Sequence, residues 1–236
     1  LSTIENLEVE KRRVQESEQS KVDFLRTASH ELKTPVTALN ATLENMILGV
    51  GKYQDYKTYL PRCKEMTEQL ADMIRDILKA SKAGPSAESE AAVQTHLPEL
   101  MQSLCQPYEL IAKAHGTAFH IDLSDGFSAM LPQALFGRAM SNILANAVSY
   151  TDKGKAVSVY FEGRSIVVEN ECVPIPAEEI KRLFEPFYRP DFARSRDDGG
   201  NGLGLYIVDT IFTAMNIGYS LAPMEGPPGM RFTIQL

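Results

Sequence analysis

His30 is followed directly by Glu31 and, four residues on, by Thr34. A neutral imidazole nitrogen beside a carboxylate is what a phosphoacceptor nucleophile needs, because the carboxylate orients and polarises the opposite ring N–H as the ring becomes cationic. The plain alternative is an incidental surface histidine, and His96, His115 and His120 are read as structural. A second group is Asn142 and Asn146, four apart on a mostly apolar helix. Two amides stacked there need polar partners: a helix cap, a water cluster, or the phosphates and Mg2+ of a ligand. A third is Asp198-Gly199-Gly200-Asn201-Gly202-Leu203-Gly204-Leu205, which leads into an amphipathic run. A glycine-rich loop entering a helix presents unpaired backbone N–H groups and a favourable dipole to a polyphosphate. Flexible loops share that composition, and no Gly-Lys-Ser/Thr closes this one into a Walker A loop.

The elements that must position these groups fall into two patterns. Residues 1–48 contain no glycine and carry apolar or small residues at Ile4, Leu7, Val14, Leu25, Ala28 and Leu32, close to a heptad register that predicts one long helix. With Leu25, Ala28 and Leu32 facing a core, His30 and Thr34 fall one turn apart on the solvent face. Gly49 and Gly51 mark a turn, after which Leu60, Cys63, Thr67, Leu70, Ile74, Ile77 and Ser81 repeat the spacing and predict a helical hairpin. Pro61 predicts a helix start near that point or a kink. The apolar stripe such a hairpin leaves over predicts a homodimer closed as a four-helix bundle.

The small, polar, Gly-Pro-punctuated stretch 82–90 reads as a linker between a domain at 1–81 and another at 91–236. Beyond it, strands are predicted at 117–123, 156–161, 165–168, 218–222 and 231–236, with helices near 97–115, 132–149, 177–184 and 203–216. The helix at 132–149 has a core face of Leu135, Ala139, Ile143 and Ala147 with Phe136, Met140, Leu144 and Val148. This interleaving without a clean βαβ repeat predicts an α+β two-layer sandwich.

Composition narrows the function classes. Acidic residues outnumber basic ones 31 to 24, giving a net charge of -7 and no basic stripe, which disfavours a nucleic-acid binder. No apolar run approaches the roughly 18 residues of a membrane span. Cys63, Cys105 and Cys172 are far apart without CxxC spacing, so buried thiols in a reducing compartment are expected. The chain opens on Leu1 inside a predicted helix and reads as a fragment of something longer.

Taken together, in this order and spacing, these segments resemble the cytoplasmic half of bacterial sensor histidine kinases over nearly the whole chain. His30-Glu31-Leu32-Lys33-Thr34-Pro35 is similar to the family's H box and Asn142-Ile143-Leu144-Ala145-Asn146-Ala147 to its N box. Phe184-Glu185-Pro186-Phe187-Tyr188-Arg189 resembles the F box, Gly200-Asn201-Gly202-Leu203-Gly204-Leu205 the second glycine box, and Gly229-Met230-Arg231-Phe232-Thr233-Ile234 the last motif. The resemblance implies a dimerisation and histidine phosphotransfer domain at 1–81 and an ATP-binding domain of the gyrase, chaperone and kinase type at 91–236. It implies that His30 accepts the γ-phosphoryl group of ATP and passes it to an aspartate of a response regulator, with Glu31 as general base. Thr34 stands where the family orients water for dephosphorylating the regulator. Asn146 would ligate Mg2+ with Asn142 supporting it, Tyr150 would pack near the adenine, and residues 185–203 would form a lid bringing Gly200, Gly202, Leu203, Gly204 and Leu205 to the phosphates. A missing N-terminal sensor region in a bacterial plasma membrane is implied as well.

The chain departs from the pattern at the first glycine box. Where the family reads Asp-x-Gly-x-Gly-Ile, this sequence has Asn170-Glu171-Cys172-Val173-Pro174-Ile175, so the adenine-reading position is an uncharged Asn170 and both glycines are absent. Ser149 also replaces a common lysine. Weakened ATP binding is expected, and the alternative reading is a regulator phosphatase or signalling scaffold lacking efficient autokinase activity. A gyrase-like or chaperone-like ATPase is disfavoured by the hairpin carrying His30 and Glu31.

Overall fold

Glycine-free sequence from residue 2 onward builds α1 (Ser2–Ile47), and a 3-10 turn at Gly51–Gln54 returns the chain into α2 (Tyr56–Ser81). The computed structural model describes the backbone of residues 2–81, 90–190 and 200–236, and their side chains except those of 2–10, 13, 14, 16 and 17. Ile4, Leu7 and Val14 of the expected seam, and linker residues 82–89, therefore lie outside the described residues. The chain divides into two compact units, Leu1–Ser81 and Lys82–Leu236.

In the first unit the helices meet along one seam. Phe24, Ala28, Leu32, Pro35, Leu39, Thr42 and Met46 of α1 are buried or half-buried, as are Tyr59, Cys63, Met66, Leu70, Met73, Ile77 and Ala80 of α2. All recur at spacings of three or four, as a helix face requires. Met46, Tyr59 and Cys63 close the tip, joined by Leu39 and Tyr53. Gly49 and Gly51 take φ of +64° and +52°, which the reversal demands.

Two details correct the expected seam. Phe24 rather than Leu25 enters it, and Leu25 is 51% exposed; on α2, Leu60, Thr67, Ile74 and Ser81 are exposed while Tyr59, Met66, Met73 and Ala80 turn inward. The physical reason is that each helix carries two neighbouring apolar stripes of the same period, and periodicity alone does not say which meets the other helix. The helix also begins five residues before Pro61. Asp55 takes the cap position, its carboxylate accepting from the Thr58 N–H and, at 2.6 Å, from the Thr58 hydroxyl, so α2 starts there despite the N–H that Pro61 lacks. The Thr58 hydroxyl holds the Asp55 carboxyl below its ordinary range.

The second unit is the expected α+β sandwich. Its elements run β1 (Val93–His96), α3 (Leu97–His115), β2 (Ala118–Asp122), β3 (Ser128–Leu131), α4 (Gln133–Tyr150), β4 (Ala156–Glu162), β5 (Ser165–Glu171), α5 (Ala177–Ile180), α6 (Gly204–Ala214), β6 (Gly218–Pro223) and β7 (Gly229–Gln235). Five strands form a mixed sheet in the order β2-β4-β5-β7-β6, with β2 parallel to β4 and the other pairs antiparallel. Alternate residues along the central strands, Val157, Val159, Phe161, Ile166, Val168, Phe232 and Ile234, are buried. Phe136, Met140 and Leu144 of α4 and Ile207, Val208, Ile211 and Phe212 of α6 complete that core, and α4 packs on both β5 and α6. The one-face stripe expected on α4 is the buried one, although Leu135 is only half-buried.

A separate two-stranded sheet pairs β1 with β3. The sequence reading has neither strand, because four residues are too few to show a period. The helix expected at 177–184 is one α turn, α5, followed by a 3-10 turn at Lys181–Phe184. Cys63, Cys105 and Cys172 form no disulfide; Cys63 and Cys105 are buried as expected, Cys172 is only half-buried because it lies just past the end of β5, and burial, with a smaller contribution from the Glu109 charge, pushes Cys105 up to about 12.

Glu90 ties the end of the linker to the sheet domain. Its carboxylate accepts from the backbone N–H groups of Ala134 at 3.0 Å and Leu135 at 3.1 Å, which have no intrahelical partner in the first turn of α4. No side chain in the cap position itself does this work, since that residue is Pro132. Nothing local in sequence signals a cap 44 residues away. Replacing Glu90 with Ala is expected to lower the unfolding free energy by about 1 kcal/mol in urea titrations, with Glu90→Gln losing less because it keeps an acceptor.

Candidate functional site

In the hairpin, His30, Glu31 and Thr34 are exposed and none makes a side-chain hydrogen bond or ion pair among the described residues. At about 100° per residue, His30 and Thr34 lie roughly opposite the seam defined by Ala28 and Leu32. A second stripe of exposed apolar residues, Val22, Leu25, Val36, Leu43 and Ile47, runs along α1 beside the seam, and Leu60, Ile74 and Leu78 continue it on α2. His30 is clear of both stripes. Pro35 contributes no N–H to the turn before it, which leaves the Glu31 carbonyl without its helical donor.

In the sheet domain, Asn142 and Asn146 are half-buried along the edge of the apolar face of α4. The Asn142 amide nitrogen donates to the Arg138 carbonyl at 2.8 Å, which fixes its oxygen on the far side. That oxygen faces the first residue of α6: a Cβ built on Gly204 would stand 3.4 Å from Asn142 Oδ1 and 3.5 Å from both amide atoms of Asn146. Asn146 itself has no side-chain hydrogen bond among the described residues. The residue before α6, Leu203, is 1% exposed and caps nothing with its side chain. Two amides and the N-terminus of α6 thus converge on one glycine. Leu205 follows it, half-buried, in the first turn.

The chain reaches that point through a tight clasp. The Phe187 N–H donates to the Gly202 carbonyl at 2.9 Å, and a Cβ on Gly202 would lie 2.7 Å from the Phe187 carbonyl carbon. Gly202 has φ +70° and Phe187 φ +65°, the latter a costly conformation for a bulky residue. A Cβ on Gly200, in contrast, would meet nothing within 4 Å among the described residues. Residues 191–199 of the expected lid lie outside the described residues. Nothing in the sequence announces the strain at Phe187; only its place in the F-box-like segment draws notice to it.

Asn170 occupies the far end of β5, on the same side of the sheet as its cross-strand partners Val157 and Met230. Its Nδ2 is buried without a hydrogen-bond partner among the described residues. Neighbouring groups are engaged elsewhere: Glu171 Oε2 accepts from the Ala156 N–H at 3.1 Å, and Met230 Sδ accepts from the Ile175 N–H at 3.3 Å. The Asp152 N–H donates to the Glu171 carbonyl, which fastens the C-terminal end of α4, with Tyr150 as its last residue, beside this end of the strand. Gly229 makes the fit possible, since a Cβ there would be 2.5 Å from the Asn170 carbonyl oxygen.

Comparison with known proteins matches these features in both units. Residues 20–86 match the His Kinase A (phospho-acceptor) domain, and residues 132–236 match the histidine kinase-, DNA gyrase B- and HSP90-like ATPase family. Over the full chain, the sensor histidine protein kinase HK06 of Streptococcus pneumoniae is 30% identical. The chain belongs to the sensor histidine kinases. The sensor protein VanSB of Enterococcus faecalis is 34% identical over 93% of this kinase chain. The chain spans about half the length of these curated relatives, 52% of HK06 and 50% of VanSB. Among solved structures, the Acinetobacter baumannii histidine kinase AdeS aligns over 88% of this chain and 96% of its own, at TM-score 0.62 and 20% identity. Histidine kinase ThkA, solved in complex with the response regulator protein TrrA, aligns over 96% of this chain and 64% of its own, at TM-score 0.69 and 18% identity. Both share the fold.

The clasp gives a direct test. Gly202→Ala forces a Cβ into the Phe187 backbone at a left-handed φ and is expected to lower the urea-unfolding free energy by more than about 1 kcal/mol. Gly200→Ala, in open space, is expected to stay within about 0.5 kcal/mol of the parent.

Proposed function

We propose that this chain is the cytoplasmic autokinase and phosphotransfer portion of a membrane sensor, working as a homodimer with Mg-ATP on His30. The observation that carries the reading is the convergence of Asn142, Asn146 and the N-terminus of α6 on Gly204. A side-chain-free position there leaves room for a ligand's phosphates against backbone N–H groups. The donor set fits: amide oxygens are hard ligands suited to Mg2+, and an uncapped helix end suits an anion. The orphaned donor of Asn170 fits a base at the other end of the same wall.

In this reading Asn146 holds Mg2+ and Asn142 supports it, Tyr150 and Asn170 take the base, and Gly200, Gly202, Leu203, Gly204 and Leu205 line the phosphates. Bound Mg-ATP supplies the γ-phosphoryl group together with a metal charge that offsets the charge on its oxygens. Glu31 orients the His30 ring and takes the proton that the ring loses as its nitrogen bonds to phosphorus and the bond to the β-phosphate oxygen breaks. Because His30 is exposed and clear of both apolar stripes, the phosphorylated ring stays accessible to a receiver-domain aspartate of a response regulator, the kind of partner held by ThkA. Thr34, one turn on, is placed to orient water for regulator dephosphorylation. Residues 1–81 form the phosphotransfer domain, 82–90 the linker and 91–236 the ATP-binding domain. No helix among the described residues is long and apolar enough to cross a membrane, and attachment is assigned to a sensor region N-terminal to this chain.

Labelled γ-phosphate from Mg-ATP is expected to appear on the purified chain as an acid-labile adduct and to vanish in His30→Gln and Asn146→Ala. Absence of label on folded, dimeric protein would favour the phosphatase or scaffold reading, to which the uncharged Asn170 lends its weight. Burial of the second stripe is tested separately: sedimentation at tens of micromolar is expected to show a dimer, and Leu60→Glu with Ile74→Glu a monomer.

A further inference from the structure

We infer that the base end of this site accepts 6-oxopurine as well as 6-aminopurine nucleoside triphosphates, with Asn170 as the residue that sets this tolerance. The inference rests on the nucleotide reading above. Its starting observation is the buried Nδ2 of Asn170, a donor with no acceptor. Around it on the same side of the sheet stand Val157, Val168 and Met230, all buried and apolar. An orphaned amide donor in such surroundings is costly, and an occupant that brings an acceptor removes the cost.

Neither adjacent carboxylate restores an acceptor-only reader at this point. Strand alternation turns Glu169 and Glu171 to the opposite side. Glu169 is paired with Arg231 Nη1 at 3.4 Å, and Glu171 is bound to the Ala156 N–H. The hydrogen-bonding side chain that β5 offers to a base here is therefore an amide.

A carboxylate only accepts, so it favours the 6-amino group of adenine and repels the 6-oxo group of guanine. An amide does both. With adenine, Asn170 Oδ1 accepts from the exocyclic amine while Nδ2 donates to N1. With guanine, a half-turn of the amide lets Nδ2 donate to O6 while Oδ1 accepts from N1–H. Each arrangement is bidentate, the geometry in which asparagine side chains read purine edges well. The same substitution that removes charge from the pocket thus removes its discrimination between the two purines.

Calorimetry of the full chain with Mg-ATP and Mg-GTP, alone and in the Asn170→Asp variant, tests this without using kinase activity. The expected result is that the parent binds GTP within about tenfold of ATP, and that Asn170→Asp shifts the ratio toward ATP by more than about tenfold. ATP binding with a GTP affinity more than about a hundredfold weaker in the parent overturns this inference and leaves the nucleotide reading standing. Equal ratios in parent and variant overturn the role of Asn170. Binding of neither nucleotide to folded protein overturns both.

Discussion

Everything proposed for the sheet domain depends on residue 204 having no side chain. α4 and α6 pack through Phe136, Met140, Ile207 and Ile211, all nearly fully buried. That apolar contact sets their spacing, and the spacing puts the start of α6 against Asn142 and Asn146. With a methyl group at that position, the three amide atoms would be in van der Waals contact with carbon at 3.4–3.5 Å, and the space in front of the helix N-terminus would be filled. The clasp two residues earlier serves the same end. Phe187 holds its unfavourable φ because a hydrogen bond to Gly202 and the burial of Leu203 fix the chain on both sides of it. Strain of this kind persists where surrounding packing determines it fully.

On the proposed reading the hairpin meets a different requirement, that of associating without covering His30. Each helix carries two apolar stripes, one spent on the other helix and one left open. On α1 the open stripe lies to one side of the seam, and His30 lies further round again. Assembly through Leu25, Val36 and Leu43 on α1 and Leu60 and Ile74 on α2 leaves the imidazole in solvent. The interleaving of Ser, Thr and Lys around His30 keeps that third face polar, with Ser29 and Thr37 hydroxyls returned to the Leu25 and Lys33 carbonyls.

The residues whose spacing is local were legible in sequence. The helix at 132–149 shows its apolar stripe and its two amides within five turns of chain, and the glycine loop announces a helix start by composition. Pairings between distant segments were not legible. The Glu90 cap on α4, the Phe187 clasp and the β1-β3 ribbon each depend on residues brought together across 15 to 45 positions, with no periodic trace of the encounter. The choice between seam and stripe was ambiguous for another reason: the sequence holds both with the same period, and only the relative rotation of α1 and α2 decides. Asn170 was visible as a departure from pattern, but its orphaned donor is a fact of burial.

The three amides also decide what kind of recognition the site performs. Asn142, Asn146 and Asn170 are all neutral, in a chain of net charge -7. On the proposed reading these amides add no charge, and the α6 N-terminus and a bound metal contribute attraction for a triphosphate. The helix dipole acts only over its first turn, so its contribution is confined to the Gly204 end. Within α4 the cation is Arg138, one turn before Asn142, and position 149 near the opposite end has Ser instead of Lys. On the reading inferred for Asn170, a base at that end meets an amide, and geometry that an amide reverses by a half-turn selects a purine without selecting which one.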